Sequence, residues 1–131
     1  MMHDTDAALA LLRQLSALRV HLAVDDFGIG YSSLSYIERF PVDVLKIDKS
    51  FVDRVAAECA ASVESPLIAA IIQIGRTLGL RVVAEGIERE AQARRLRDLG
   101  CALGQGYLFA RPLPPAEVER QLVGERMAGA A

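Results

Sequence analysis

Val20-His21-Leu22-Ala23-Val24-Asp25-Asp26-Phe27-Gly28-Ile29-Gly30-Tyr31-Ser32-Ser33-Leu34 changes character twice. An apolar run ends in two adjacent carboxylates, a Gly-Ile-Gly loop follows, and Ser-Ser-Leu then opens a helix. The stretch reads as a strand from Val20 to Phe27, apolar on both faces, that delivers acids to a rim beside a flexible loop. Ser33 to Phe40 is a short helix that Pro41 stops.

The rest of the chain repeats that plan. Upstream, Ala8, Leu11, Leu12, Leu15 and Leu18 recur at helical spacing, and Asp4 or Thr5 can cap that helix. Downstream, Val44 to Asp48 is a second strand, Ser50 to about Ala57 a helix, and Glu58 to Glu64 a connector. Ser65-Pro66 starts a long helix whose stripe is Ile68, Ile71, Ile72, Gly75 and Leu78, ended by Gly79. Gly75 within that stripe implies close packing on a strand. Arg81 to Glu85 is a third strand, Arg89 to Leu99 a helix closed by Gly100, and Leu103 to Phe109 a fourth strand. Pro114-Pro115 starts a last helix through about Arg126, leaving residues 128–131 as an expected frayed tail. Alternating strands and helices imply α/β architecture with a parallel sheet.

In such sheets function gathers at the carboxyl ends of the strands. Here those ends carry Asp25 and Asp26, then Lys46 and Asp48, then Glu85, then Gln105. Two acids with a third from another strand suit hard divalent cations such as Mg²⁺ or Mn²⁺. Adjacent strand residues point to opposite faces, so Asp25 and Asp26 share one ion only if the strand is ending there; otherwise they serve two ions, or one ion and one structural bond. A protonated lysine at the same rim stabilises an anion or a nucleophilic hydroxide. Acids, lysine and metal together suggest phosphoryl chemistry. Receiver domains also gather paired acids and a lysine at strand ends, but there the lysine comes late, whereas Lys46 lies on the strand directly after the acid pair.

Composition narrows the class. The 131 residues suffice for one domain with a real core. Hydrophobic residues make up 52% and aromatics 5%, with no Trp, so the core must be mostly Leu, Val, Ile and Ala. A net charge of −2 gives no electrostatic case for nucleic acid polymers or anionic membranes. The run Arg94-Arg95-Leu96-Arg97 reads as a solvated helix face. Cys59 and Cys101 have no metal-ligand spacing and are expected as free thiols. His21 is expected to be a half-buried strand residue and His3 a solvated terminus. The start is acidic and unlike a signal peptide, and Leu67 to Ile74 is too short to span a bilayer, so a soluble, cytoplasmic protein is expected.

Four blocks carry a family resemblance. Asp25-Asp26-Phe27-Gly28 through Leu34, Leu45-Lys46-Ile47-Asp48-Lys49-Ser50-Phe51-Val52, Ala84-Glu85-Gly86-Ile87-Glu88 and Gln105-Gly106-Tyr107-Leu108-Phe109, with the closing Arg111-Pro112-Leu113, resemble the signature blocks of EAL domains, in order and spacing. EAL domains are bacterial phosphodiesterases that linearise cyclic di-GMP. The resemblance implies a (βα)8 barrel of the TIM type, of which this chain would be a (βα)4 half, with about residues 4–127 matching the carboxyl-terminal half of a domain of roughly 240 residues.

It also implies roles. Asp25 resembles the aspartate bridging two metal ions, and Asp26 its neighbour associated with the second ion. Lys46 resembles the lysine that holds the attacking water and screens phosphate charge. Glu85 resembles a glutamate described as metal ligand or general base. Gln105 resembles a water-placing glutamine, although a structural amide is an alternative. Glu88 resembles the glutamate that tethers the Asp25–Leu34 loop. Asp48 reads as mainly structural. The implied reaction is in-line attack of water on one phosphodiester of cyclic di-GMP, with two Mg²⁺ or Mn²⁺ ions, giving linear pGpG.

Three departures stand out: Ile29 where Thr is usual, Arg19 where a Gly usually ends the preceding helix, and Arg89 where a capping Thr is common. The last is expected to weaken its helix start. The Glu-Ala-Leu motif and two further metal ligands, an Asn and a Glu, are not among these residues. The expectation is a truncated EAL domain, inactive alone, with weak or no cyclic di-GMP binding and self-association through open sheet edges. The alternative is a non-catalytic nucleotide-binding or protein-interaction module of a cyclic di-GMP signalling protein.

Overall fold

A computed structural model describes residues 2–28, 34–57 and 66–128. Its elements run α1 (Met2–Ala17), β1 (Ala23–Phe27), α2 (Leu34–Arg39), β2 (Val44–Ile47), α3 (Lys49–Ala57), α4 (Pro66–Thr77), β3 (Arg81–Ala84), α5 (Glu90–Asp98), β4 (Leu103–Gly104) and α6 (Pro115–Ala128). The strands form one sheet in the order β1-β2-β3-β4, every pair parallel. This is the α/β architecture that the alternation predicts. The expected roles of Ser33 and Ser65 as helix starts, the 58–64 connector, Cys59 and the terminal residues 129–131 lie outside the described residues.

The sheet has one covered face. Leu45, Ile47 and Ala84 are fully buried against Ile68, Ile71 and Ile72 of α4. A β-carbon at Gly75 would collide with Cγ2 of Val82, so the stripe glycine does mark close helix-on-strand packing. The opposite face carries Val44, Lys46 and Val83, all half-buried, and the exposed Ala23 and Asp25.

Several boundaries differ from expectation. β1 begins at Ala23 because the backbone before it pairs elsewhere: the Leu22 carbonyl accepts from Asp43 N–H (2.8 Å), and Leu22 N–H donates to the Asp43 carboxylate (2.8 Å). That bond is the main cause holding the Asp43 carboxyl below the usual carboxylate range. Val20 and His21 are consequently exposed, and His21 faces Asp43 at 3.6 Å rather than lying half-buried in a strand. Within β1 only Phe27 is buried, and Ala23, Asp25 and Asp26 are exposed, so the strand is not apolar on both faces.

β4 is two residues long, not seven, because the chain turns at once: Phe109 and Ala110 N–H both bond back to the Gly106 carbonyl. A β-carbon at Gly106 would strike the Ile87 backbone, which explains the glycine. Among the described side chains of α1, Leu9 is buried and Leu12 and Leu15 are half-buried as the stripe predicts, whereas Leu11 (58% exposed) and, just past the helix, Leu18 (73%) face solvent.

Two helix ends are built from unusual residues. Arg19 adopts φ 60°, the left-handed conformation that its replacement of a C-terminal glycine implies, at a cost of about 1 kcal/mol. Arg89, by contrast, does not leave α5 uncapped. The Gln92 side-chain oxygen accepts from both Glu88 N–H and Arg89 N–H at 2.9 Å, so the expected weak start is corrected by a residue three positions on. Among the described residues, no helix is long and apolar enough to cross a membrane.

Candidate functional site

The register of β1 against β2 builds the site. Val24 pairs with Leu45 and Phe27 with Ile47, so two residues, Asp25 and Asp26, stand opposite the single Lys46. This is a β-bulge. Asp26 takes φ 52°, a left-handed conformation that Asp tolerates better than most residues, and Gly28 follows at φ 100°. Without the bulge, alternation would send the two carboxylates to opposite faces. With it, a ligand oxygen from each of Asp25, Asp26 and Glu85 lies within 4.8 Å of the others. The bulge thus brings both carboxylates to one side without the strand ending, a route that strict alternation does not include.

Glu85 reaches that point from β3, whose register continues one residue beyond the strand: Glu85 N–H donates to the Ile47 carbonyl at 3.0 Å. Lys46 sits between the acids, its Nζ 2.5 Å from Glu85 and 3.1 Å from Asp25. Glu85, then Asp25, raise the Lys46 ammonium above its ordinary range against the opposing effect of partial burial. Reciprocally, the Lys46 hydrogen bond holds the Asp25 carboxyl below the usual carboxylate range. Three hard oxygen donors from two strands fit a divalent ion such as Mg²⁺ or Mn²⁺.

The remaining expected residues divide. Gln105 is at the same rim by backbone pairing, since its N–H donates to Ala84 O (2.8 Å) and its carbonyl accepts from Ile87 N–H (3.1 Å). Its side chain is exposed and hydrogen-bonds no described residue. Glu88 bonds Lys49 Nζ at 2.9 Å; half of the Asp25–Leu34 loop that it was expected to tether, residues 29–33, lies outside the described residues. Asp48 caps α3: its carboxylate accepts from Ser50 N–H at 2.8 Å, and Ser50 holds its carboxyl below the usual range. That is the structural part expected of it.

Two residues of the surroundings have no counterpart among the expected site residues. Lys49 links Glu88 to Asp53 (3.2 Å), and its stem packs under Gly86, which has φ 69°. The other is Gln92, fully buried on α5. Its signal was available: an amide three residues after a helix start without a good cap. Cys101 is a free, buried thiol whose ionisation burial pushes upward.

The family model described as EAL domain matches residues 1–112. The chain is 47% identical over 117 residues to MucR of Pseudomonas aeruginosa, a bifunctional diguanylate cyclase/cyclic di-GMP phosphodiesterase; the match covers 89% of this chain and 17% of MucR. It superposes on the PaMucR phosphodiesterase solved in complex with c-di-GMP with TM-score 0.78, covering 89% of this chain and 46% of that one. A manganese/cy-diGMP complex of Klebsiella pneumoniae BlrP1 matches with TM-score 0.67 at 35% identity, over 79% of this chain and 26% of that one. The chain thus spans about half, or less, of the proteins it matches.

Proposed function

The chain belongs to the EAL domain family, and on that premise we propose that its residues form one wall of a two-metal site for hydrolysis of cyclic di-GMP to linear pGpG. The observation that carries this reading is the convergence of Asp25, Asp26 and Glu85 around Lys46. Asp25, Asp26 and Glu85 would hold divalent metal. Such ions, when bound, supply Lewis acidity that makes water nucleophilic at neutral pH and offsets phosphate charge. Lys46, a cation whose ammonium is stabilised by its acidic neighbours, orients the attacking water by donating to it and screens the phosphate. Glu85 either ligates or accepts the proton of that water. Gln105, at the rim beside Glu85, has a free amide to place the water. Glu88 takes the role that the family resemblance implies for it, tethering the Asp25–Leu34 loop.

We assign residues of about 4–127 to the carboxyl-terminal half of an EAL domain, acting in the cytoplasm. Three carboxylates leave most coordination positions to water, so these 131 residues alone bind metal loosely and turn over no cyclic di-GMP. Completion needs ligands from outside them.

Two experiments test this. The purified chain with Mn²⁺ and cyclic di-GMP should give no pGpG; product that Lys46→Ala abolishes would overturn the inactivity of the isolated chain. Grafted in place of the matching segment of the MucR phosphodiesterase, the same residues should support hydrolysis. An inactive, folded graft would sink the catalytic reading. Lys46 neutralising two of the acids favours a second reading, a non-catalytic module, which would bind cyclic di-GMP without hydrolysing it even in the graft.

A further inference from the structure

Gln92 is fully buried, yet every one of its polar atoms has a partner. Its oxygen accepts from the backbone N–H groups of Glu88 and Arg89, at 2.9 Å each. Its amide nitrogen donates the other way, across to α3, reaching the Val52 carbonyl (3.4 Å) and the Asp53 carboxylate (3.3 Å). A helix cap needs only the first pair. The second pair joins two elements far apart in sequence. α3 begins at Lys49, directly after the strand that carries Lys46, and residues 86–88 directly follow Glu85. The same Asp53 oxygen also receives Lys49 Nζ, which bonds Glu88. One buried amide therefore ties the mount of Lys46 to the mount of Glu85 a second time, behind the β2–β3 ladder in which Glu85 N–H already bonds the Ile47 carbonyl.

We propose that Gln92 is a positioning residue for the proposed site, setting the distance between Lys46 and Glu85. The proposal rests on the reading of those two groups as site residues. Gln92 touches neither group itself and acts through the two segments that carry them.

The test reads the geometry directly, without metal. A zero-length carbodiimide adds to a carboxylate to give an O-acylisourea, and a neighbouring deprotonated lysine amine attacks its acyl carbon, expelling the urea and leaving an isopeptide bond. In the wild-type chain Lys46 should link to Glu85 in preference to Asp25, in keeping with the shorter contact. Gln92→Met should lower that Glu85:Asp25 ratio by about fivefold or more. Val55→Ala, which hollows the buried side of α3 without touching the amide, should lower the Tm yet leave the ratio within about twofold. An unchanged ratio in folded Gln92→Met, or an equal fall in Val55→Ala, overturns the proposal. Should Gln92→Met not fold, Asp53→Ala decides instead. It removes the carboxylate acceptor of the Gln92 amide on α3 while leaving the cap of α5, so the ratio should again fall, and an unchanged ratio again overturns the proposal. A parallel Mn²⁺ titration of the wild-type chain tests the metal reading alone; its failure would leave the cross-linking ratios, and what they say of Gln92, unaffected.

Discussion

Leu45 and Ile47 are fully buried under the helices, whereas Lys46 between them keeps a quarter of its side chain in solvent and holds two acids. The strand thus gives alternate residues to two separate tasks, one face to cohesion and the other to chemistry. The separation is not symmetrical. The cohesive face is built from shape and can be damaged by a single methylene, while the chemical face is built from charges that offset one another near water.

The largest effect expected is on the covered face. Leu45→Ala should lower stability by about 2–5 kcal/mol in urea titrations, because it opens a cavity that helices on one side alone cannot close. A loss under about 1 kcal/mol would mean that the two faces differ less than their burial suggests. Next, Gly75→Ala should cost about 1–3 kcal/mol, since the new methyl meets Val82; its better helix propensity recovers only part of this.

Asp48 sits where the strand gives way to α3, between the two tasks. Asp48→Ala should cost about 1 kcal/mol through loss of the cap. Its carboxyl is held below the usual range when folded, so its contribution is present above about pH 4 and is lost as pH falls through the folded value. Asp48→Asn, which keeps an acceptor but cannot titrate, should therefore flatten the acid limb of a stability-versus-pH curve; an unaltered limb would assign acid sensitivity to other carboxylates.

The smallest stability effect is expected at Lys46. Lys46→Met should change stability by less than about 1 kcal/mol. It should, however, tighten Mn²⁺ binding about tenfold by removing a competing charge from the acids. A collapse of stability there would join the two faces into one unit. The open edges β1 and β4 bear on the whole sheet. Sizing chromatography should show dimers or larger species, and a clean monomer would contradict the expectation of edge-driven association.

Much of this was legible in the sequence because it rests on local rules. The parallel strands that carry Asp25, Lys46 and, one residue past the strand, Glu85 follow from alternation, and Gly75, Gly79 and Gly100 each mark a contact or turn that only glycine serves easily. The misses are tertiary. Nothing local says that β4 stops after Gly104, because the Ile87 backbone pressing on Gly106 belongs to another segment. Which leucines of α1 are buried is likewise a choice made by packing. The Asp25–Asp26 arrangement was left open since a bulge is a property of two strands together. The cap made by Gln92 has a local signal, but its second role has none, since its partners on α3 lie about forty positions away in the chain.

The bulge has an evolutionary corollary. Deleting Asp26 would let Val24, Asp25 and Phe27 meet Leu45, Lys46 and Ile47 one to one, with Phe27 still in the core. The second acid is in that sense an inserted letter that the ladder does not require. A lineage could acquire or discard it by a single-codon insertion or deletion, altering the charge of the rim while leaving the sheet's spelling intact.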